Sequence, residues 1–163
     1  MAGEVKDNDK GWTAFFKRIA SLKGAGVKVG VLDDGKGAES HDEGGMTNAE
    51  IAAINEFGTE DGHVPERSFV RSTFDKERQN LEAMGAKLTV GVIDGKLTAE
   101  QAVGIMGAKL AADIKNTVVE GAGVPPPNAE STVQAKGSDR PLVDTSQMVN
   151  SVTWQVDGGE GEE

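Results

Sequence analysis

The hydrophobic pattern of this chain predicts helices over most of its length and strands in two short stretches. Apolar residues recur every three or four positions in several segments, which is typical of helices with one buried face. They alternate with polar residues in VKVGVL and SVTWQV, as in half-buried strands. The predicted helices cover residues 12–23, 47–57, 69–93, 98–121 and 145–150, and the predicted strands cover 27–32 and 151–156.

These elements predict an α+β fold in which a small antiparallel or mixed sheet packs against helices, with a long αα-hairpin. The hairpin is expected over residues 69–121, because Asp94-Gly95 interrupts two apolar stripes and Thr98 with Gln101 forms a capping box that restarts the helix. The two strands come from opposite ends of the sequence. A two-stranded sheet is marginal, so we expect at least one more strand, from the chain or from a neighbour.

Two polar segments interrupt this pattern. Residues 33–46 are rich in glycine and acidic side chains and predict a flexible surface loop. Residues 122–141 hold four of the five prolines, including Pro125, Pro126 and Pro127, and predict an extended arm. The predicted organisation is a disordered N-terminus at 1–10, a single domain at 11–157 that includes both segments, and a disordered acidic tail at 158–163.

The first predicted helix carries an aromatic cluster. Trp12 and Phe16 are four residues apart and share a helix face with Ile19 nearby. We expect these side chains to pack in the core; the alternative is that Trp12 faces a partner. In the last long helix, Gly104 and Gly107 either let the two helices of the hairpin approach closely or mark flexibility.

The segment that follows the acidic loop predicts a short helix and a sharp break. Thr47 and Glu50 have the spacing of a capping box. Apolar residues at Ile51, Ile54 and Phe57 predict a stripe against the core. Gly58 follows directly, where a helix ends most easily in a left-handed residue.

Two arginines are the most informative charges. Arg67 and Arg71 lie near the predicted start of the long helix, where the helix dipole disfavours cations, so each is expected to have an acidic partner. A partner on a neighbouring subunit is one interpretation, and a surface ion pair worth about 0–1 kcal/mol is the other. The candidate partners within the chain are Asp75, Glu56, Glu60 and Asp61.

Composition excludes several classes of protein. The chain has 17 basic and 27 acidic side chains and a net charge of −10, which argues against a surface that grips nucleic acid. It has no cysteine, so it forms no disulfide and no thiolate metal site. No apolar run approaches the roughly 20 residues of a membrane span, and the N-terminus lacks the apolar core of a signal peptide. A soluble protein made in the cytosol is expected.

No catalytic motif is present, and we expect neither an enzyme nor a cofactor. His41 and His63 both fall in polar loops, and Glu56 has no recognisable partner for general-base chemistry. The acidic loop lacks the spacing of a calcium-binding loop, so no metal site is predicted there. The residues that could otherwise have formed one are Asp33, Asp34, Glu39, His41, Asp42 and Glu43.

Two motifs resemble the neck or tail-completion proteins of tailed bacteriophages. The first is I-x-x-I-N-E-F-G-T followed by V-P-E-R-S-F-V-R, with Ser68 where the family usually has a second proline. The second is PLVDTSQMVNSVTWQV, with Ser146 where the family usually has glycine. The motifs occur in the family's order, and the resemblance spans roughly residues 12–156.

The resemblance implies a structural virion protein of the head–tail junction, made in the host cytoplasm. Its subunits would form a homo-oligomeric ring between the phage connector and tail proteins, close to the DNA in the channel and away from any membrane. The alternatives are a tail-terminator or head-closure ring and, in another class, a cytosolic adaptor or inhibitor that binds a host protein. The hypothetical interface residues are Glu56, Phe57, Arg67, Arg71, Pro125, Pro126 and Pro127.

Overall fold

A computed structural model describes residues 11–40, 45–120, 126, 127, 130, 133, 134 and 147–157, and it has the α+β fold predicted from the sequence. Helices pack against a small antiparallel sheet whose strands come from the two ends of the chain. The elements are α1 (Trp12–Leu22), β1 (Gly26–Val31), α2 (Gly35–Ala38), α3 (Asn48–Phe57), α4 (Val70–Ile93), α5 (Ala99–Glu120), α6 (Gln147–Ser151) and β2 (Val152–Asp157).

The predicted αα-hairpin is confirmed. Helices α4 and α5 run antiparallel, because the start of α4 lies beside the end of α5: the hydroxyl of Thr73 is 2.8 Å from that of Thr117. Further along, Gly85 of α4 lies against Met106 of α5. The helices are joined through Gly95, whose φ of 75° ends α4. The predicted capping box then restarts the helix, with the Thr98 and Gln101 side chains each accepting the other's backbone N–H.

The sheet has two strands in the part of the chain that the structure describes, with Gly26 opposite Asp157 and Val31 opposite Val152. The third strand expected from the sequence is not among the described residues. Helix α5 covers the sheet instead. A Cβ on Gly107 would lie 2.5 Å from Cγ2 of Val27, so the glycine lets α5 approach the sheet, and Gly104 does the same against the ring of Trp154. The close approach expected between the two helices is therefore between helix and sheet.

The main core lies where α3, α5, α6 and the sheet meet. Its centre is formed by Phe69, just before α4, together with Ile114 and Val118 of α5 and Val152 of β2, all at most 1% exposed. Full burial of such side chains contributes about 1.5–3 kcal/mol each. The junction between α3 and α4 is anchored to this core by Phe69, which is fully buried in it.

The described start of the acidic segment, residues 33–40, is more ordered than its composition predicts. Residues 35–38 form α2, and the carbonyl oxygen of Lys36 accepts hydrogen bonds from Nδ2 of Asn48 at 2.8 Å and from Oγ of Ser151 at 3.0 Å. Those two buried polar side chains attach the segment to α3 and α6. The amino-acid composition of the segment gives no sign of these contacts, because the donors lie in other elements. Residues 41–44 lie outside the described part.

The predicted arm at 122–141 is described only in fragments. Pro126 and Pro127 are exposed, whereas Glu130, Val133 and Gln134 are helical, so the expectation of an extended conformation is wrong for those three residues. The remainder of the arm lies outside the described residues. So do the two termini, 1–10 and 158–163, for which disorder was predicted.

Core packing of the α1 aromatic residues is not observed. Trp12 is 60% exposed and Phe16 is 61% exposed, and α1 has no buried residue. The helix rests on the α4–α5 turn through the adjacent face, where Phe15, Arg18 and Leu22 are half-buried. The Nε of Arg18 donates to the carbonyl oxygen of residue 93 at 2.9 Å. Helix α1 is thus attached to the hairpin in part by a polar contact of Arg18, and not by the packed aromatic rings that the sequence predicted.

Candidate functional site

The first family-like motif folds into a compact joint between α3 and α4, centred on the carboxylate of Glu56. This side chain is 4% exposed and accepts four hydrogen bonds. The backbone N–H groups of Val70 and Arg71 donate to it at 2.9 and 3.1 Å, the hydroxyl of Ser68 at 2.9 Å, and Nε of Arg71 at 2.9 Å. The N–H groups at the start of a helix have no partner within the helix. Glu56 therefore caps α4 from the end of a different helix.

Helix α3 reaches this geometry because its buried face is partly polar. The capping box of Thr47 and Glu50 begins the helix as predicted. Its buried residues are Asn48, Ala52 and Glu56, four positions apart. The predicted stripe is thus rotated, and Phe57 lies in solvent with 64% of its surface exposed. Counting apolar residues missed the buried face because two of its three members are polar side chains with specific partners.

Hydrogen bonding sets the charge state of Glu56. Burial alone raises the pKa of this carboxyl, but the N–H groups of Val70 and Arg71, the Arg71 side chain and the Ser68 hydroxyl outweigh it and hold the pKa below its usual range. Helix α4 also presents its positive dipole end to the carboxylate. Glu56 is accordingly ionised at neutral pH, with its oxygens occupied by donors. That arrangement suits a structural anion and leaves little capacity for a general base.

Arg71 links the joint to the surface. Its Nη2 donates to the carbonyl oxygen of Glu56 at 3.1 Å and to Oε1 of Glu66 at 2.7 Å, and its guanidinium lies 4.9 Å from the ring centre of Phe57. Hydrogen bonding to Glu56 raises the pKa of Arg71. Of the partners expected from the sequence, Glu56 is correct. Asp75 instead pairs with Arg78 at 2.9 Å.

Arg67 lies before α4, not within its first turn, so the dipole argument does not apply to it. It is 8% exposed. Its backbone N–H donates to the carbonyl oxygen of Asn55 at 2.7 Å, and its Nε donates to that of Pro126 at 3.1 Å. Burial lowers the pKa of Arg67. The side chain is thus held within one chain, against the Pro126–Pro127 fragment; Pro125 lies outside the described residues.

Gly58 closes the joint with an unusual backbone. Its φ of 74° is positive as predicted, but its ψ of 179° is extended and not left-handed helical. This region of conformational space is almost restricted to glycine. A Cβ at this position would also lie 2.9 Å from the backbone nitrogen of Glu66. The break after Phe57 therefore needs glycine for two separate reasons.

The chemistry available at the joint is that of an internal clasp. Within the described ranges, no group of three or more acidic or histidine side chains could hold a metal ion. His63 lies in a loop that is closed by Asp61, whose Oδ1 accepts from the Thr59 hydroxyl at 2.6 Å and from the His63 N–H at 3.0 Å. The sequence predicts no metal site in the acidic loop, and this stays a prediction because residues 41–44 of that loop lie outside the described part. The absence of enzymatic activity also stays a prediction.

None of the helices in the described part of the chain is both long and apolar enough to cross a bilayer. Comparison with protein families, with curated proteins and with solved structures finds no match for this chain.

Proposed function

We propose that this protein is a structural subunit of the neck of a tailed phage, forming a ring that joins the DNA-filled head to the tail. The proposal rests on the two motifs that resemble neck and tail-completion proteins and occur in the same order. Its partners would be further copies of the chain, with connector and tail proteins above and below.

The observation that carries the proposal is the way in which the first motif is used. Three residues of the motif build a single joint: Glu56, Gly58 and Arg71. Each has a geometric reason for its identity, and none is arranged for catalysis. A motif that maintains a fold is what a structural subunit requires, and the long α4–α5 hairpin supplies a rigid body for a ring.

The charge of the chain fits a channel through which DNA passes without adhering. The 27 acidic side chains outnumber the 17 basic ones, so the net charge of −10 has the same sign as the phosphate backbone. Each Lys or Arg that pairs with a phosphate releases counterions and strengthens binding. The lumen of the ring is therefore expected to be neutral or negative, with DNA near the protein and not bound to it.

The test is complementation of a virus that lacks the protein. Without it, electron microscopy should show complete heads and complete tails that are not joined, and supplying the native chain should restore infectious particles. Glu66→Ala is a matched control that should complement fully, because the Glu66 side chain is 57% exposed and lies at the edge of the joint. Joined, infectious particles formed without the protein would contradict the proposal.

Arg67→Glu does not test the predicted subunit interface alone, because Arg67 is largely buried in its own chain. The substitution would place a carboxylate beside the carbonyl oxygen of residue 126, in a position that is 8% exposed. An unpaired buried charge destabilises the fold itself. A failure of this variant to join heads and tails is therefore informative only if its unfolding transition is first shown to be native-like.

A further inference from the structure

Helix α1 presents an apolar stripe that the described part of the chain leaves uncovered. The stripe consists of Trp12, Phe16 and Ile19, and the rings of the first two stack with centres 6.0 Å apart. Ile19 is 40% exposed, and both aromatic residues are more so. An aromatic side chain buries 150–250 Å² when fully packed, so the two rings alone offer roughly 200–300 Å² of surface. Aromatic anchors of this kind are typical of the centre of a protein interface.

A groove of about 730 Å³ lies elsewhere on the molecule, lined by β1, α4 and α5. Its apolar wall includes Val27 and Val29 of β1, Leu81 of α4, and Met106 and Leu110 of α5. Along α4, the ring of Phe74 borders it, with 43% of that residue exposed. The groove is therefore a concave apolar surface, whereas the α1 stripe is a convex one.

The stripe and the groove do not meet within one chain. Helix α1 lies at the tip of the hairpin, where Arg18 contacts Gly95 and the carbonyl oxygen of Ile93. The groove borders α4 from Val70 to Gly85. At about 1.5 Å per helical residue, the groove extends from roughly 12 Å to roughly 35 Å along the α4 axis from Ile93. The two surfaces are therefore separate in one molecule, and a second molecule is needed to bring them together.

The charges around the two surfaces are complementary. Between residues 11 and 23, the α1 segment has three cations and no carboxylate, in a chain whose net charge is −10. At the α4 border, the lining of the groove has two arginines, Arg71 and Arg78, and two carboxylates, Asp75 and Glu82. Arg71 is also paired with the buried carboxylate of Glu56 beside the groove, so the border as a whole has a small excess of negative charge. Complementary potentials favour association and fix its orientation.

We infer that the Trp12–Phe16–Ile19 stripe of one copy packs into the β1–α4–α5 groove of a second copy. The contact joins two different patches, so it is heterologous, and its repetition closes a ring if the rotation permits. The inference rests on the proposed function, because it names the contact between subunits of the ring. A second copy is favoured over an anionic membrane, since the acidic body of the protein would be repelled by the lipid surface.

The absence of cysteine from the chain makes cross-linking a direct test. Ile19→Cys and Glu82→Cys are made in separate proteins, so that both aromatic rings of the stripe are retained. An equal mixture treated with a short bismaleimide should give a covalent dimer that neither variant gives alone. Ala14→Cys mixed with Glu82→Cys is the matched control, because residue 14 is exposed on the opposite side of α1 and should give no dimer.

Three results would overturn the inference. One is a mixture that gives no more dimer than the control at any protein concentration. Another is a dimer from Ile19→Cys alone, which would indicate that two α1 helices pack on each other. The third uses a Trp154→Phe variant, in which Trp12 is the remaining tryptophan. If the Trp12 emission shifts to the blue with phosphatidylglycerol vesicles but not with rising protein concentration, the α1 stripe binds lipid and not a second copy of the chain.

Complementation separates a failure of this inference from a failure of the proposed function. If Phe16→Glu restores joined particles while the virus lacking the protein makes none, the neck function stands and the α1 contact is wrong. If the virus lacking the protein joins heads to tails normally, the neck function is wrong, and the cross-link still decides whether the chains associate through α1.

Discussion

The α3–α4 joint buries a charged side chain, whereas helix α1 leaves large apolar side chains exposed. At the joint, a charged residue, Glu56, is buried and every oxygen has a donor. On α1, the large apolar residues Trp12 and Phe16 are in solvent. The joint satisfies its polar groups within one chain, whereas α1 leaves its apolar surface for another molecule. In these two regions, burial therefore follows the availability of partners more closely than it follows hydrophobicity.

The largest effect on stability is expected from Glu56→Ala. Removal of the carboxylate leaves the Val70 and Arg71 N–H groups without an acceptor and Arg71 without its inner partner. A buried donor left without an acceptor costs about 1–3 kcal/mol, and here two backbone N–H groups and the Ser68 hydroxyl lose their acceptor together. Urea denaturation should show a loss of this size. Glu66→Ala removes the outer, exposed partner of the same arginine and should cost at most about 1 kcal/mol; equal losses would contradict the role of Glu56.

The next effect concerns the backbone of the joint. Gly58→Ala should destabilise the fold by roughly 2–3 kcal/mol, because φ is 74° and the new Cβ would lie 2.9 Å from the nitrogen of Glu66. Gly62→Ala is the matched control: its φ is 71°, but a Cβ there has nothing within 4 Å, so only the conformational cost of about 1 kcal/mol remains. Thermal denaturation of both variants measures the difference, and a milder effect at Gly58 than at Gly62 would refute the steric part.

Acid should weaken the joint through Glu56. Because hydrogen bonds hold its folded pKa below the unfolded value of about 4.3, the carboxylate contributes stability that is fully present above that value and is lost as the pH falls through the folded pKa. The difference in unfolding free energy between the native chain and Glu56→Gln should therefore shrink from about pH 6 to about pH 3. A difference that stays constant over this interval would show that the charge of Glu56 is not what stabilises the joint.

The smallest effect on stability is expected from Phe16→Ala. Its ring is 61% exposed in the single chain, so the free energy of unfolding of the dilute protein should change by less than about 0.5 kcal/mol. Self-association should fall in the same variant. Sedimentation velocity over a range of concentrations provides the measurement, with Thr13→Ala as the control on an exposed position outside the stripe. A large loss of stability with unchanged sedimentation would place Phe16 in the fold and not in the interface.

Periodicity and caps predicted the elements well. The α4–α5 hairpin follows from two apolar stripes around Asp94-Gly95, and both capping boxes form. The strands are displaced by one residue each, to Gly26–Val31 and Val152–Asp157. These features are local, because a few neighbouring residues determine them. They can therefore be recognised in a single sequence.

The site was less predictable because it depends on contacts between distant segments. Glu56 could be named as a partner of Arg71, but its capping of α4 requires the position of α3 relative to α4, which no local pattern specifies. The burial of Asn48 and the exposure of Phe57 have the same origin, since each depends on which face of α3 meets the core. For α1, the helical spacing of the apolar residues was predicted correctly. Whether Trp12 is covered depends on where the neighbouring elements lie, and the spacing does not specify this.

Amide hydrogen exchange of the native chain at low and at high protein concentration tests the contrast between the two regions most directly. We predict that the Val70 and Arg71 amides, which donate to Glu56, are protected to the same extent at both concentrations. The amides of residues 12–22 should exchange rapidly in dilute solution and become protected as the concentration rises. Exchange of α1 that is independent of concentration, or amides at the joint that exchange as fast as those of dilute α1, would contradict the account.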